Sequence, residues 1–120
     1  MNDIVIVSNN PEVLKIYPDD MVNVEGAPID VMLKVKEMLS EGYILWSSPL
    51  PPNGRLMRNP FRSVVLKKGD ADRVGGRDFL LAETALERLG RREFLAPEGK
   101  QGKDLAYMDL TLLKSALRDI

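Results

Sequence analysis

The sequence predicts an α/β fold: one three-layer-like domain over residues 1–120, its mainly parallel sheet of about four strands flanked by helices. Three observations carry this. Short, largely β-branched or aromatic runs, Ile4-Val5-Ile6-Val7 and Tyr43-Ile44-Leu45-Trp46, are bounded by turn residues and read as buried strands. Between them, apolar residues recur at helical spacing, and this alternation of strand with helix is the signature of βαβ units. Finally, 120 residues at 44% apolar and 29% charged suit one domain with a real core.

Each element follows in order. Ile4 to Val7 is the first strand, and Ser8-Asn9-Asn10-Pro11 ends it. Asn10 suits a helix N-cap and Pro11 the first helical position, so Pro11 to Ile16 is a short helix, broken by Tyr17-Pro18-Asp19-Asp20. Met21 to Glu25 alternates as a second strand. Gly26-Ala27-Pro28 then opens a helix whose apolar stripe is Met32, Val35, Met38 and Leu39, stopped by Gly42. Tyr43 to Trp46 is the third strand. The following loop, Ser47 to Asn59, is framed by Pro49, Pro51 and Pro52 and turns at Asn53-Gly54, so it is not a central strand. Ser63 to Leu66 is a fourth strand, followed by a Gly and Asp-rich connector to Gly76. Phe79 to Leu89 is helical, with Asp78 as N-cap and Gly90 as terminator. Arg91 to Lys103 reads as loop, and a last helix, Leu105 to Arg118, offers Leu105, Met108, Leu112 and Ala116 to the core or to a partner chain. The expected buried set includes Val5, Val7, Met32, Val35, Leu39, Ile44, Val65 and Leu86.

Composition narrows the chemistry. Cys and His are both absent, which removes thiol nucleophiles, disulfides, Cys or His metal ligands and imidazole acid-base catalysis. No G-x-x-x-x-G-K-[ST] or strand-linked G-x-G-x-x-G array occurs, so nucleotide cofactors have no motif support, and the carboxylate spacing matches no EF-hand loop. No cofactor and no metal are expected. No apolar run approaches the ~20 residues of a membrane span, and Asp3 rather than a basic leader precedes the first strand, so the chain reads as cytoplasmic, with no membrane partner.

The net charge of −1 conceals a segregation. Met1 to Gly42 carries 3 basic and 8 acidic residues, Asp70 to Ile120 carries 9 and 10, and the middle, Tyr43 to Gly69, carries 5 basic residues and no acid. Such a local cationic patch favours a small anionic ligand. A nucleic acid would call for a strongly basic domain, and the pI near 5.5 opposes it.

Two constellations fall at one sheet edge if the first and third strands are parallel. Asn9 and Asn10 open a helix beyond the first strand, where free N–H groups face an anion; the alternative is that they only turn and cap. The loop beyond the third strand gathers Ser47, Ser48, Asn53, Arg55, Arg58, Asn59 and Arg62 just ahead of Ser63, with Arg suited to a carboxylate or phosphate; the alternative is a solvated loop with prolines blocking edge pairing. The expected ligand-binding set is therefore Asn9, Asn10, Ser48, Asn53, Asn59, Arg62 and Ser63. No catalytic residue is assigned, because no nucleophile and base stand at a readable spacing.

The first strand with Ser8-Asn9-Asn10-Pro11, then Val24-Glu25-Gly26, Ser48-Pro49-Leu50, Pro52-Asn53 and Asn59-Pro60-Phe61-Arg62-Ser63-Val64, together resemble the GrdX family. The likeness runs over the first half to two thirds of the chain. That family is encoded beside the glycine reductase genes of amino-acid-fermenting anaerobes, so the resemblance implies a small cytosolic accessory protein of glycine, sarcosine or betaine reductase metabolism, with reductase components as partners. Where the family tends to carry a His before the Pro-Leu pair, this chain has Ser48, which favours binding over catalysis, and the loop around Gly54 to Arg58 is longer than the family pattern. Besides a ligand-binding module, the sequence admits a protein-interaction subunit, homodimeric or bound to a reductase component through its last helix, and an enzyme without His or Cys chemistry.

Overall fold

A computed structural model of the protein describes residues 3–51, 54–69 and 76–118. The sequence runs β1 (Ile4–Ser8), α1 (Pro11–Ile16), β2 (Met21–Asn23), α2 (Pro28–Ser40), β3 (Tyr43–Leu45), a 3₁₀ turn (Gly54–Arg58), β4 (Ser63–Lys68), α3 (Gly76–Leu89) and α4 (Gly99–Arg118). The four strands form one sheet in the order β2-β1-β4-β3.

The sheet is mixed, not mainly parallel. β1 pairs parallel with β2 (Ile6 opposite Met21), whereas β4 runs antiparallel to both β1 (Ser8 opposite Ser63) and β3 (Leu45 opposite Leu66). The reason lies in the β3–β4 connection. A parallel return needs a long crossover, usually a helix on the sheet face, and among its described residues this proline-framed segment carries only the Gly54–Arg58 turn. Because β4 opposes both neighbours, β1 and β3 still point the same way. Their carboxyl ends and the start of β4 share one edge.

Alternation along β1 and β4 divides the core into two faces. Val7, Val64 and Leu66 pack with Met32, Val35 and Leu39 of α2 and with Ala82, Ala85 and Leu89 of α3. Ile4, Ile6 and Val65 turn the other way, toward Val13 of α1 and Leu110 and Leu113 of α4. Of the expected core residues, Val7, Met32, Val35, Leu39, Ile44 and Val65 are buried, and Val5 and Leu86 are half-buried against the first face.

Three local readings change. Asp78 is not an N-cap but a first-turn residue of α3, and its carboxylate accepts from the Leu45 N–H at 3.0 Å, covering part of the free edge of β3. α4 begins at Gly99, inside the stretch expected to be loop. Gly99 and Gly102 depress helix propensity, but Gly102 sits where an added Cβ would clash with the Pro97 carbonyl, so glycine is required by close packing. Its buried face is also turned from the expected one. Leu105, Ala106, Asp109, Leu110 and Leu113 point inward, while Met108 is exposed and Leu112 and Ala116 are half-buried.

Candidate functional site

At the shared edge, the sequence of β1 ends in side chains that bind the protein to itself. Asn10 is fully buried and makes four contacts: its N–H donates to Ser8 Oγ (3.0 Å), its Oδ1 caps α1 by accepting from the Glu12 N–H (3.0 Å), and its Nδ2 donates to the Ala106 carbonyl (2.8 Å) and to Asp109 Oδ2 (3.0 Å). Asn9 donates from Nδ2 to the carbonyls of Gly26 (2.8 Å) and Pro60 (2.9 Å), and its Oδ1 accepts from the Arg62 N–H (2.8 Å). Asn59, also buried, donates to the Leu105 carbonyl (2.9 Å) and accepts from the Phe61 N–H (2.9 Å). These three Asn side chains form a seam that fastens the loop before β4, the entry to α2 and the inner face of α4 to the end of β1. Each polar group has a partner, as buried amides require.

The hydroxyls continue the seam. Ser8 and Ser63 face each other across the β1–β4 ladder with their Oγ atoms 2.7 Å apart, and Ser63 Oγ donates to Asp109 Oδ2 at 2.7 Å. Ser47 closes the end of β3: its N–H and that of Trp46 both donate to the Val65 carbonyl, and its Oγ accepts from the Val65 N–H at 2.9 Å. Ser48 is exposed and accepts from the Leu50 N–H at 3.3 Å.

Arg62 differs. The residue is only 5% exposed, yet its Nε and Nη2 are buried without a hydrogen-bond partner among the described residues. Among the described residues no carboxylate oxygen comes within 4.0 Å of it. Asp109, equally buried at 5%, is the nearby opposite charge. Burial pushes the Arg62 pKa down and Asp109 pulls it back up. The Asp109 carboxyl is raised above its usual range by desolvation, against the opposing pull of hydrogen bonds from Ser63 and Asn10 and of the Arg62 charge. Both side chains line a cleft of about 430 Å³, together with Ser47, Ser48, Ser63 and Ser115. Its remaining wall is apolar, from Leu50, Pro51, Leu112, Leu113 and Ala116.

The structure thus gathers Ser48, Arg62 and Ser63 around this cleft, and places Asn9, Asn10 and Asn59 in the seam behind it. Asn53 lies outside the described residues. Asp109 and Ser8 were missed by sequence reasoning. Asp109 had a signal: it occupies the buried stripe of α4 between Leu105, Ala106, Leu110 and Leu113, where a charged residue is out of place.

Chemically, the arrangement is suited to binding. Ser63 does point its hydrogen at a carboxylate, but a carboxyl group, even one raised by burial, is far too weak a base to activate a serine hydroxyl unaided. A second cleft of about 460 Å³, between the end of β3 and the start of α3, includes Arg77, Asp78 and Trp46; there the Asp78 carboxylate already serves Leu45, and Lys67 Nζ sits 5.1 Å from the Trp46 ring centroid. No helix among the described residues is long and apolar enough to cross a membrane.

Fold and site together define a small mixed α/β protein in which a polar seam supports a serine-lined cleft with one buried cation. A model of the family described as GrdX-like protein matches residues 5–118, and the chain belongs to that family. The match extends well beyond the motifs of the first two thirds, to α3 and α4 and hence to Asp109. No curated protein and no solved structure matches the chain.

Proposed function

We propose that the protein is an accessory module that binds a small anion in the Arg62 cleft, in the service of glycine, sarcosine or betaine reductase metabolism. One observation carries the binding reading: a buried guanidinium whose Nε and Nη2 lack partners. Leaving such a charge unpaired costs several kcal/mol, a large share of the ~5–15 kcal/mol that stabilises a typical domain. Nε and Nη2 form one fork of the guanidinium, which fits two oxygens of a carboxylate or phosphate. The fork is closed to bulk water, so a ligand reaches it when the side chain or the Ser48–Pro51 rim gives way, and the exclusion of water strengthens the contact once made. The reductase context rests on the family resemblance.

Calorimetric titration with inorganic phosphate and short monocarboxylates tests this. Saturable binding that Arg62→Met abolishes is expected; binding unaffected by that substitution, or none, would remove the reading.

A second reading has its own observation. The outer face of α4 exposes Tyr107 (68%) and Met108 (42%), and α1 exposes Leu14 and Ile16. This supports an interaction subunit acting through its last helix. Analytical ultracentrifugation, alone and with reductase components, tests it, with Tyr107→Glu expected to dissociate any complex.

A further inference from the structure

The charge pattern of the cleft says more about its occupant. Arg62 and Asp109 are both buried, both line the same space, and yet stand too far apart to form an ion pair. The other polar wall groups are neutral hydroxyls, Ser47, Ser48, Ser63 and Ser115. A simple anion on Arg62 would bring its charge toward that of Asp109, and a simple cation on Asp109 would meet Arg62. The complement to two separated opposite charges is a dipolar ion of net charge zero. Asp109 is held in place for one half of this, since the side chains of Ser63 and Asn10 both donate to its Oδ2 and fix the carboxyl group at the wall of the cleft. The space beyond the charges is walled by Leu50, Leu112, Leu113 and Ala116, and about 430 Å³ lies at the small end of ligand pockets.

Building on the reading of Arg62 as an anion anchor, we propose that the cleft binds a zwitterionic α-amino acid with a small apolar side chain, its carboxylate on the Arg62 fork and its ammonium on Asp109. Burial raises the Asp109 pKa, and an arriving ammonium offsets that cost just as the carboxylate offsets the cost at Arg62. Neither charge of the ligand is then left unmatched.

Removing one charge of the ligand at a time isolates each contact. Calorimetric titrations at neutral pH would compare L-valine with isovalerate, which lacks the amine, with isobutylamine, which lacks the carboxylate, and with inorganic phosphate. The proposal expects valine to bind at least tenfold more tightly than either deletion analogue, and Asp109→Asn to erase the advantage of valine over isovalerate while leaving isovalerate binding in place. Isovalerate or phosphate binding as tightly as valine, dependent on Arg62, would overturn the amino-acid assignment and leave the anion anchor standing. Failure of valine, isovalerate and phosphate alike would overturn both. The ligand comparison uses the unaltered protein, so it decides the question even if Asp109→Asn misfolds.

Discussion

Asn10 and Arg62 stand at the same end of the sheet, 0% and 5% exposed, and both have the chemistry of a ligand contact. They differ in what their polar atoms meet. Asn10 satisfies its side-chain groups on Glu12, Ala106 and Asp109, while Arg62 keeps two buried donors without partners. A buried polar group whose bonds are complete is scaffold, and its loss leaves others orphaned. A buried polar group whose bonds are incomplete destabilises the empty protein and gains when something arrives. Residue type and position make the two look alike; only the count of partners separates them.

The comparison can be broken most sharply at Asn10. Asn10→Ala removes the α1 cap and takes away the buried donor that Asp109 Oδ2 and the Ala106 carbonyl share, so urea unfolding should register a loss of ~3–4 kcal/mol. A loss under ~1 kcal/mol would mean that the seam is dispensable. Asn59→Ala breaks two buried contacts to backbone and should cost ~2 kcal/mol by the same measurement, with ligand affinity of the folded fraction unchanged.

Arg62→Met combined with Asp109→Asn should act with the opposite sign. Removing both buried charges takes away the unpartnered guanidinium without leaving the Asp109 carboxylate uncompensated, and is expected to stabilise the protein by ~1 kcal/mol while abolishing binding of anions. A clear destabilisation would show instead that the guanidinium braces the loop.

The smallest effect is a slope. The Asp109 pKa is raised from its ordinary 3.8, so the neutral form is favoured in the fold: stability from this group is fully present below that value and is lost as pH rises through the folded pKa. Asp109→Asn cannot ionise, so the stability difference between variant and parent, followed by thermal melts, should move in favour of the variant as pH rises from 4 toward 7. No change in that difference would mean that Asp109 titrates normally in the fold.

Much of this architecture is written locally. The Asn10-Pro11 cap, the Pro28 helix entry and the β-branched runs each fix their element through short-range preferences, and the elements fall where those preferences put them. What is not local was harder to read. Strand direction depends on how the Ser47 to Arg62 segment routes, and proline composition rules out a strand without revealing the return path. Asp109 and Gly102 look like interruptions of a helix until Asn10 and Pro97 are seen beside them. The cationic middle segment did point to the cleft, since Arg62 lies in it, but the counter-charge comes from a helix distant in sequence that showed no sign of facing it.

That distance has a consequence for how the protein assembles. The contacts that close the seam join Asn10 to Ala106 and Asp109 across sequence separations of 96 and 99 residues, and Asn59 and Ser63 to Leu105 and Asp109 across 46. A chain made from its N-terminus exposes the end of β1 long before α4 exists to cover it, and such late, non-local closures slow folding. Until then Asn10 Nδ2 has only water to bond, and the Ser63 hydroxyl has only Ser8 and water. The cleft is therefore the last part of the molecule to come into being, present only in chains that have finished folding, so any activity that depends on it also reports that the whole domain is intact.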